Sequence, residues 1–326
     1  MKRFNNILYV LNTEKIDKSV LERVVTLAQN NQARLTVVST LEPVTVGFGM
    51  PEGGPISVDL QAAMISAQTQ KLETSVAPYQ ERVNIQTKLR VGTQFLEIIR
   101  EVLDNGRDLV IKVPESMDWI DQLFGSEDLH LLRKCPCPVW LIKPAPQETY
   151  RRILAAVDVD DTHASEEQEI RDELNQQILE LASSMALSGF AELHIVHAWE
   201  ASGENILRGG LIYLPEERVT AFIEDERQKR EAGLNRLIRK VNNKPGQDSF
   251  SYLKPQTHLI KGQPRKEIPA LAKQIEADLI VMGTVARTGV PGFIIGNTAE
   301  AILGQIECSV LALKPRGFVS PVTVDK

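Results

Sequence analysis

The sequence predicts an α/β protein of two tandem domains, each a mostly parallel sheet with helices on both faces. Three observations carry this. At 326 residues the chain is long for one ordinary domain and sufficient for two. It repeats itself once. Each copy alternates short apolar runs with longer amphipathic stretches, the pattern of strand–helix–strand units around a parallel sheet.

The repeat shows at four places in the same order. NILYVLN (6–12) resembles RILAAVD (152–158), and VGTQFLE (91–97) resembles KGQPRKE (261–267). DLVI (108–111) matches DLIV (278–281), and CPVWLIKP (137–144) matches CSVLALKP (308–315). The spacing is 170 residues at Asp108 and 171 at Cys137, so the register slips by only one between them. The linker PAPQET (144–149) contains two prolines and divides the chain into domains 1–146 and 147–326.

In the second copy, 153–157, 193–196, 279–282 and 310–313 are apolar runs of buried-strand length, and 258–260 is a weaker one. Between the first two, Ile170, Leu174, Ile178 and Leu181 recur at helical spacing. A helix across EDERQKRE (224–231) shows a charged face to solvent, with Leu234, Leu237, Ile238 and Val241 turned inward. Another helix runs over 268–277, ending before Asp278. In such a sheet, ligands lie beyond the carboxyl ends of the strands where the winding reverses, which directs attention to the residues after Asp158, Ala198 and Met282.

Composition excludes several classes. Hydrophobic residues make up 43% and charged residues 25%, as in ordinary globular proteins. No run approaches the roughly 18 apolar residues of a membrane span. The basic start meets acids after a very short apolar run and has no cleavage site, unlike a signal peptide. With 37 Lys and Arg against 43 Asp and Glu, the net charge of −6 offers nucleic acid or anionic lipid no bulk attraction. Three cysteines form no disulfide framework, which fits a cytoplasmic protein.

The candidate site is DLIVMGTVARTGVPGFIIGNTAE (278–300), which leaves a strand and enters a helix. Gly283, Gly289, Gly292 and Gly296 permit tight turns and close backbone approach. Asn297 reads as an N-cap and Glu300 as its capping-box partner. Between Thr284 and Ala299 there is no acid, and Arg287 adds a positive charge, so the loop suits an anion at a helix start. It is neither a Walker A loop nor the Gly-x-Gly-x-x-Gly fingerprint.

Two copies of this strand order, with DLIVMG, RTG, GNTAE and the first-copy segment DLHLLRKCPCPVW (128–140), resemble a tandem member of the universal stress protein family, most closely its bacterial E type. The resemblance covers essentially the whole chain. It implies a five-stranded, Rossmann-like α/β domain in each half and paired final strands that make the tandem a pseudo-two-fold dimer in one chain. Nucleotide-binding members carry Gly-x-x-Gly, nine residues, then Gly-Ser/Thr for ATP, and an Asp ending the first strand near the adenosine. Carried onto this chain, the pattern falls on Gly283, Ala286, Gly296, Asn297 and Thr298, with Asp158 as the first-strand acid. Ala286 stands in place of the second glycine and Asn297 in place of Ser or Thr. The first copy has Val113 and Ser116 at the glycine positions, keeps Gly125-Ser126, and has Asn12 in place of the acid. With Glu115, Asp118 and Asp121 in its loop and Glu127 and Asp128 at the helix start, it repels a triphosphate. The resemblance therefore implies a non-enzymatic stress-response protein binding ATP, with a divalent cation, in the C-terminal half alone. The alternative is a nucleotide-free scaffold or an apolar-ligand-binding protein. Higher oligomers and protein partners stay open.

Other chemistry is weaker. Cys135-Pro-Cys137 is not Cys-x-x-Cys, and Cys137 opens an apolar strand where a thiol packs as a small hydrophobe; His130 nearby does not complete a zinc set. His194 and His197, three apart on a strand, face opposite ways and share no metal. Asp160-Asp161 and Glu166-Glu167 read as a solvated helix start. No catalytic residue and no metal ligand set is identified. The loops VGFGMPEGGP (46–55) and ILRGGLIYLP (206–215) follow the second strand of each copy and pack on the tandem partner or act as lids.

Overall fold

The computed structural model describes residues 4–47, 49, 51, 53–114, 127–144, 149–160, 165–208, 214–243, 252–284 and 296–323. The first half runs β1 (Asn6–Val10), α1 (Lys18–Asn31), β2 (Arg34–Leu41), α2 (Val44–Gly47), α3 (Pro55–Val76), β3 (Ile85–Val91), α4 (Gln94–Asn105), β4 (Leu109–Lys112), α5 (Glu127–Lys134) and β5 (Val139–Leu141). The second half follows with β6 (Arg152–Ala156), α6 (Ser165–Gly189), β7 (Glu192–Trp199), α7 (Glu204–Arg208), α8 (Glu216–Asn242), β8 (Gln256–Lys261), α9 (Pro264–Gln274), β9 (Leu279–Gly283), α10 (Asn297–Leu303) and β10 (Ser309–Leu313). Every strand expected in the second copy is present, including the weaker one at 258–260.

The repeated residues have repeated jobs. Asp108 accepts the backbone amides of Asn5 (2.6 Å) and Asn6 (3.0 Å) at the start of β1. Asp278 accepts those of Arg151 (2.7 Å) and Arg152 (2.9 Å) at the start of β6. Gly92 and Gly262 both sit at positive φ (+148° and +151°), where a Cβ would press on the side chains of Glu97 and Glu267. Helices α1 and α6 each end in a left-handed residue, Gln32 (φ 51°) and Phe190 (φ 52°). The duplication is thus one of backbone geometry as well as sequence.

All strands join one ten-stranded sheet in the order β3-β2-β1-β4-β5-β10-β9-β6-β7-β8. Pairing is parallel within each half and antiparallel at the centre, where Val310, Leu311 and Ala312 face Leu141, Trp140 and Val139. An apolar cluster covers each face of this sheet, and both clusters run through the two halves without a break. Trp140 is 3% exposed. Its ring lies 6.0 Å from that of Tyr150, over which the Arg23 guanidinium stacks at 4.4 Å. Trp140 is therefore buried at the joint between the halves.

Behind the joint, Lys314 is buried and donates to the Leu132 carbonyl of α5 and to Thr284 Oγ1 (2.6 Å). No carboxylate faces it among the described residues, and burial lowers its pKa to about 7. Arg133 of α5 crosses the same boundary to Glu300 of α10 at 2.8 Å.

Two outcomes follow. Trp140→Ala should cost about 3–5 kcal/mol in urea denaturation of the full chain. Unfolded Lys314 holds its proton to about pH 10.4, so above pH 7 the unfolded state binds the extra proton and stability rises with pH. Subtracting the Lys314→Met stability profile from that of the parent should expose this rise between pH 7 and 10; a flat difference would contradict the buried neutral amine.

Candidate functional site

Within the second half, β6 is flanked by β7 on one side and β9 on the other. The chain winds away from β6 in opposite directions, so a crevice opens beyond the carboxyl ends of these strands. A cavity of about 400 Å³ occupies it. Asp158, Gly283, Gly296 and Thr298 line it, four of the six residues singled out from the sequence. Asn297 is exposed and does not line it, and Ala286 lies outside the described residues, as do Arg287, Gly289 and Gly292.

The floor is apolar: Ala156, Ala198, Ile268, Met282, Ala299 and Ile302. The side wall comes from α6, which has 25 residues where α1 has 14. Its additional N-terminal turns carry Ile170, Arg171, Leu174 and Asn175 over the strand ends. Arg171 pairs with the Asp158 carboxylate, which is half exposed at the rim. Asn175 binds both sides of the Asp158 backbone, accepting its amide at 3.0 Å and donating to its carbonyl at 2.6 Å. Asp158 is therefore held in place from two directions. Arg230 is buried, correcting the expectation that its charged stretch only faces solvent; it contacts Asp160 and Glu226, each at 3.2 Å. Asp160, Glu167 and Glu200 make the rim predominantly acidic.

The expected capping box is also corrected. The cap of α10 is Gly296, not Asn297, and no side chain caps it. Glu300 makes no capping box: its carboxylate turns to Arg133, while its amide donates to the Gly296 carbonyl as the first helical bond (3.0 Å). Gly283 has ordinary φ, and its glycine is required by packing. A Cβ there would lie 2.7 Å from Leu174 Cδ2.

His197, unassigned by sequence reasoning beyond its not sharing a metal with His194, lines the cavity. Its Nδ1 lies 3.2 Å from the Val157 carbonyl, and burial keeps the ring below its ordinary pKa. His194 points to the other face and stacks on His258 (Nδ1 to Nε2, 3.0 Å). Cys135 and Cys137 are buried with Sγ atoms 3.6 Å apart, and the hydrogen bond to Cys135 together with burial raises the Cys137 thiol far above its ordinary value, so Cys137 packs as an inert small hydrophobe. Among the described residues no group of three or more His, Cys, Asp or Glu has metal-binding geometry.

The equivalent region of the first half is built differently. Lys112 ends β4 where the second half has Met282, and Asp128 stands on α5 where it has Ala299. The two form a buried ion pair at 2.6 Å. Glu127 accepts the Phe95 amide at 2.6 Å, and Asn12 turns its carboxamide onto the amides of Glu14 and Lys15. The acids at the start of α5 thus serve specific internal partners.

Gly283→Ala should cost about 1–3 kcal/mol by overpacking. Adding Leu174→Ala should recover part of this loss in thermal denaturation; purely additive losses would show that the glycine is not required by Leu174.

Among the described residues no helix is long and apolar enough to cross a membrane. The model of the universal stress protein family matches residues 3–143 and again 149–314. Universal stress protein E of Escherichia coli K12 is 30% identical over 336 residues, covering 100% of this chain and 98% of its own. A universal stress protein E homolog of Haemophilus influenzae is 30% identical over 323 residues, covering 96% and 98% respectively. The crystal structure of a putative universal stress protein from Pseudomonas aeruginosa aligns with a TM-score of 0.66 at 25% identity, covering 96% of this chain and 94% of that one. Repeated strand order, the same clamp aspartate in both halves and two successive family matches lead to one conclusion: the chain belongs to the universal stress protein family and carries its domain twice.

Proposed function

We propose that this chain is a non-enzymatic, cytoplasmic stress-response protein that binds one adenine nucleotide, in the cavity of its second domain. The domains are taken as 1–146 and 147–326. The carrying observation is the difference between the halves at two equivalent positions. Met282 and Ala299 leave an open, apolar floor, whereas Lys112 and Asp128 place a buried ion pair at the corresponding positions.

The topological switch point, the volume of about 400 Å³ and the immobilised Asp158 support the same reading. Asp158 is positioned to accept a ribose hydroxyl beside its Arg171 contact. The family pattern assigns Gly283, Ala286 and Gly296 to the phosphates and donors to Asn297 and Thr298; of these, Gly283, Gly296 and Thr298 line the cavity. The acidic rim disfavours bare phosphates, so a divalent cation carried by the nucleotide would offset that charge. The apolar floor also favours a second reading, an apolar ligand held without phosphate. Mass spectrometry of whatever the purified protein retains separates the two.

Calorimetric titration of the full chain with MgATP should give one site. Installing the first-half ion pair through Met282→Lys with Ala299→Asp should weaken binding by about tenfold or more, about 1.4 kcal/mol at least. Two sites, or unchanged affinity in a folded double variant, would reject the reading. Ala286→Gly should tighten ATP by about 1 kcal/mol if its methyl strains the phosphate approach.

A further inference from the structure

Most polar groups on the cavity wall are already engaged by the protein. Asn175 uses both amide atoms on the Asp158 backbone, Arg171 is on the Asp158 carboxylate, and Arg230 lies between Asp160 and Glu226. Thr284 Oγ1 accepts from Lys314. Two buried atoms are left over: His197 Nε2 and Trp199 Nε1 have no hydrogen-bond partner among the described residues. Their residues are 3% and 4% exposed and both line the cavity. Buried polar groups in folded proteins are nearly always paired, so two such atoms around one cavity ask for a partner from outside the chain.

Strand geometry and chemistry make the pair complementary. Residues two apart on β7 project to the same side of the sheet. The Val157 carbonyl can only accept, so His197 Nδ1 carries the hydrogen and Nε2 keeps a lone pair. Burial keeps this imidazole neutral at pH 7, with Asp158, Asp160 and Arg230 as the charged groups nearby. The indole of Trp199 only donates. These two lining residues therefore carry one acceptor and one donor that the protein itself leaves unpaired.

We propose that His197 Nε2 and Trp199 Nε1 are the specificity-determining pair of the cavity, selecting a ligand that gives a hydrogen to the imidazole and accepts one from the indole. This rests on the nucleotide reading above, in which the hydrogen comes from the exocyclic amine of the base. A base with a carbonyl at that position sets two acceptors against each other. Sites built to hydrogen-bond one group discriminate strongly against analogues lacking it, because their own buried polar atoms are then unpaired.

The test compares ADP with inosine diphosphate, which replaces the amine by a carbonyl, on the full chain by calorimetry. The parent protein should prefer ADP by about tenfold or more. His197→Phe should bring the two ligands to near parity, His197→Gln should retain the preference through its amide oxygen, and Trp199→Phe should weaken ADP. Equal binding of both diphosphates by the parent overturns this inference and leaves the nucleotide reading standing, and so does an unchanged preference in His197→Phe. Binding of neither overturns both. If His197→Phe does not fold, the parent's preference and its retention in His197→Gln still decide the matter.

Discussion

The antiparallel contact between β5 and β10 organises the molecule. Each half alone would end in an exposed strand edge, with unpaired amides and carbonyls open to other chains. Joining the edges makes one continuous sheet, and the apolar clusters on its faces then run through both halves. Because the junction is antiparallel while each half is parallel within itself, the carboxyl ends of the two sets of strands open at opposite borders of the sheet. The two candidate ligand regions are kept apart by this geometry, and each can diverge without disturbing the other.

Divergence took a specific physical form. The repeated elements that build the backbone are retained: the Asp108 and Asp278 clamps, the glycines at positive φ, and the left-handed helix ends. The strand ends were changed. One half has a buried Lys112–Asp128 pair, and the other has Met282 and Ala299 there and a longer helix walling the opening. Removing either partner of a buried pair leaves an uncompensated charge, so the first-half arrangement, once present, is hard to lose by single changes. Lys314 and the Arg133–Glu300 pair then tie the second half to the first across the joint.

The fold was legible because the apolar runs and their repetition state it directly. Topology pointed to the strand ends after Asp158 and Met282, and the family resemblance to Gly283, Gly296 and Thr298; they line one cavity because strand ends at a switch point converge. Finer points depended on contacts that sequence does not display. Gly283 read as a ligand-approach glycine, and Leu174, far away in the chain, adds a packing reason for it. Glu300 read as a capping partner because Arg133 of the other domain is invisible to a local pattern. Arg230 lay in a run of alternating charge, with nothing to mark it as the buried member. The unpaired atom of His197 depends on the Val157 carbonyl, 40 positions earlier. Some signals were present: the charge of Lys112 in an otherwise apolar strand, opposite Met282 in the repeat, marks the half with the buried ion pair, and Asn175 within an apolar helical stripe marks a polar task.

The central claim is that ligand capacity resides in the second domain alone, and amide hydrogen exchange with and without MgATP tests it most directly. The account predicts slowed exchange at 156–160, 196–200 and 281–284, where the strand ends surround the cavity, with no change at 10–14 or 109–114. Equal protection at the ends of β1 and β4, or no protection at the ends of β6, β7 and β9 under saturating nucleotide, would contradict it.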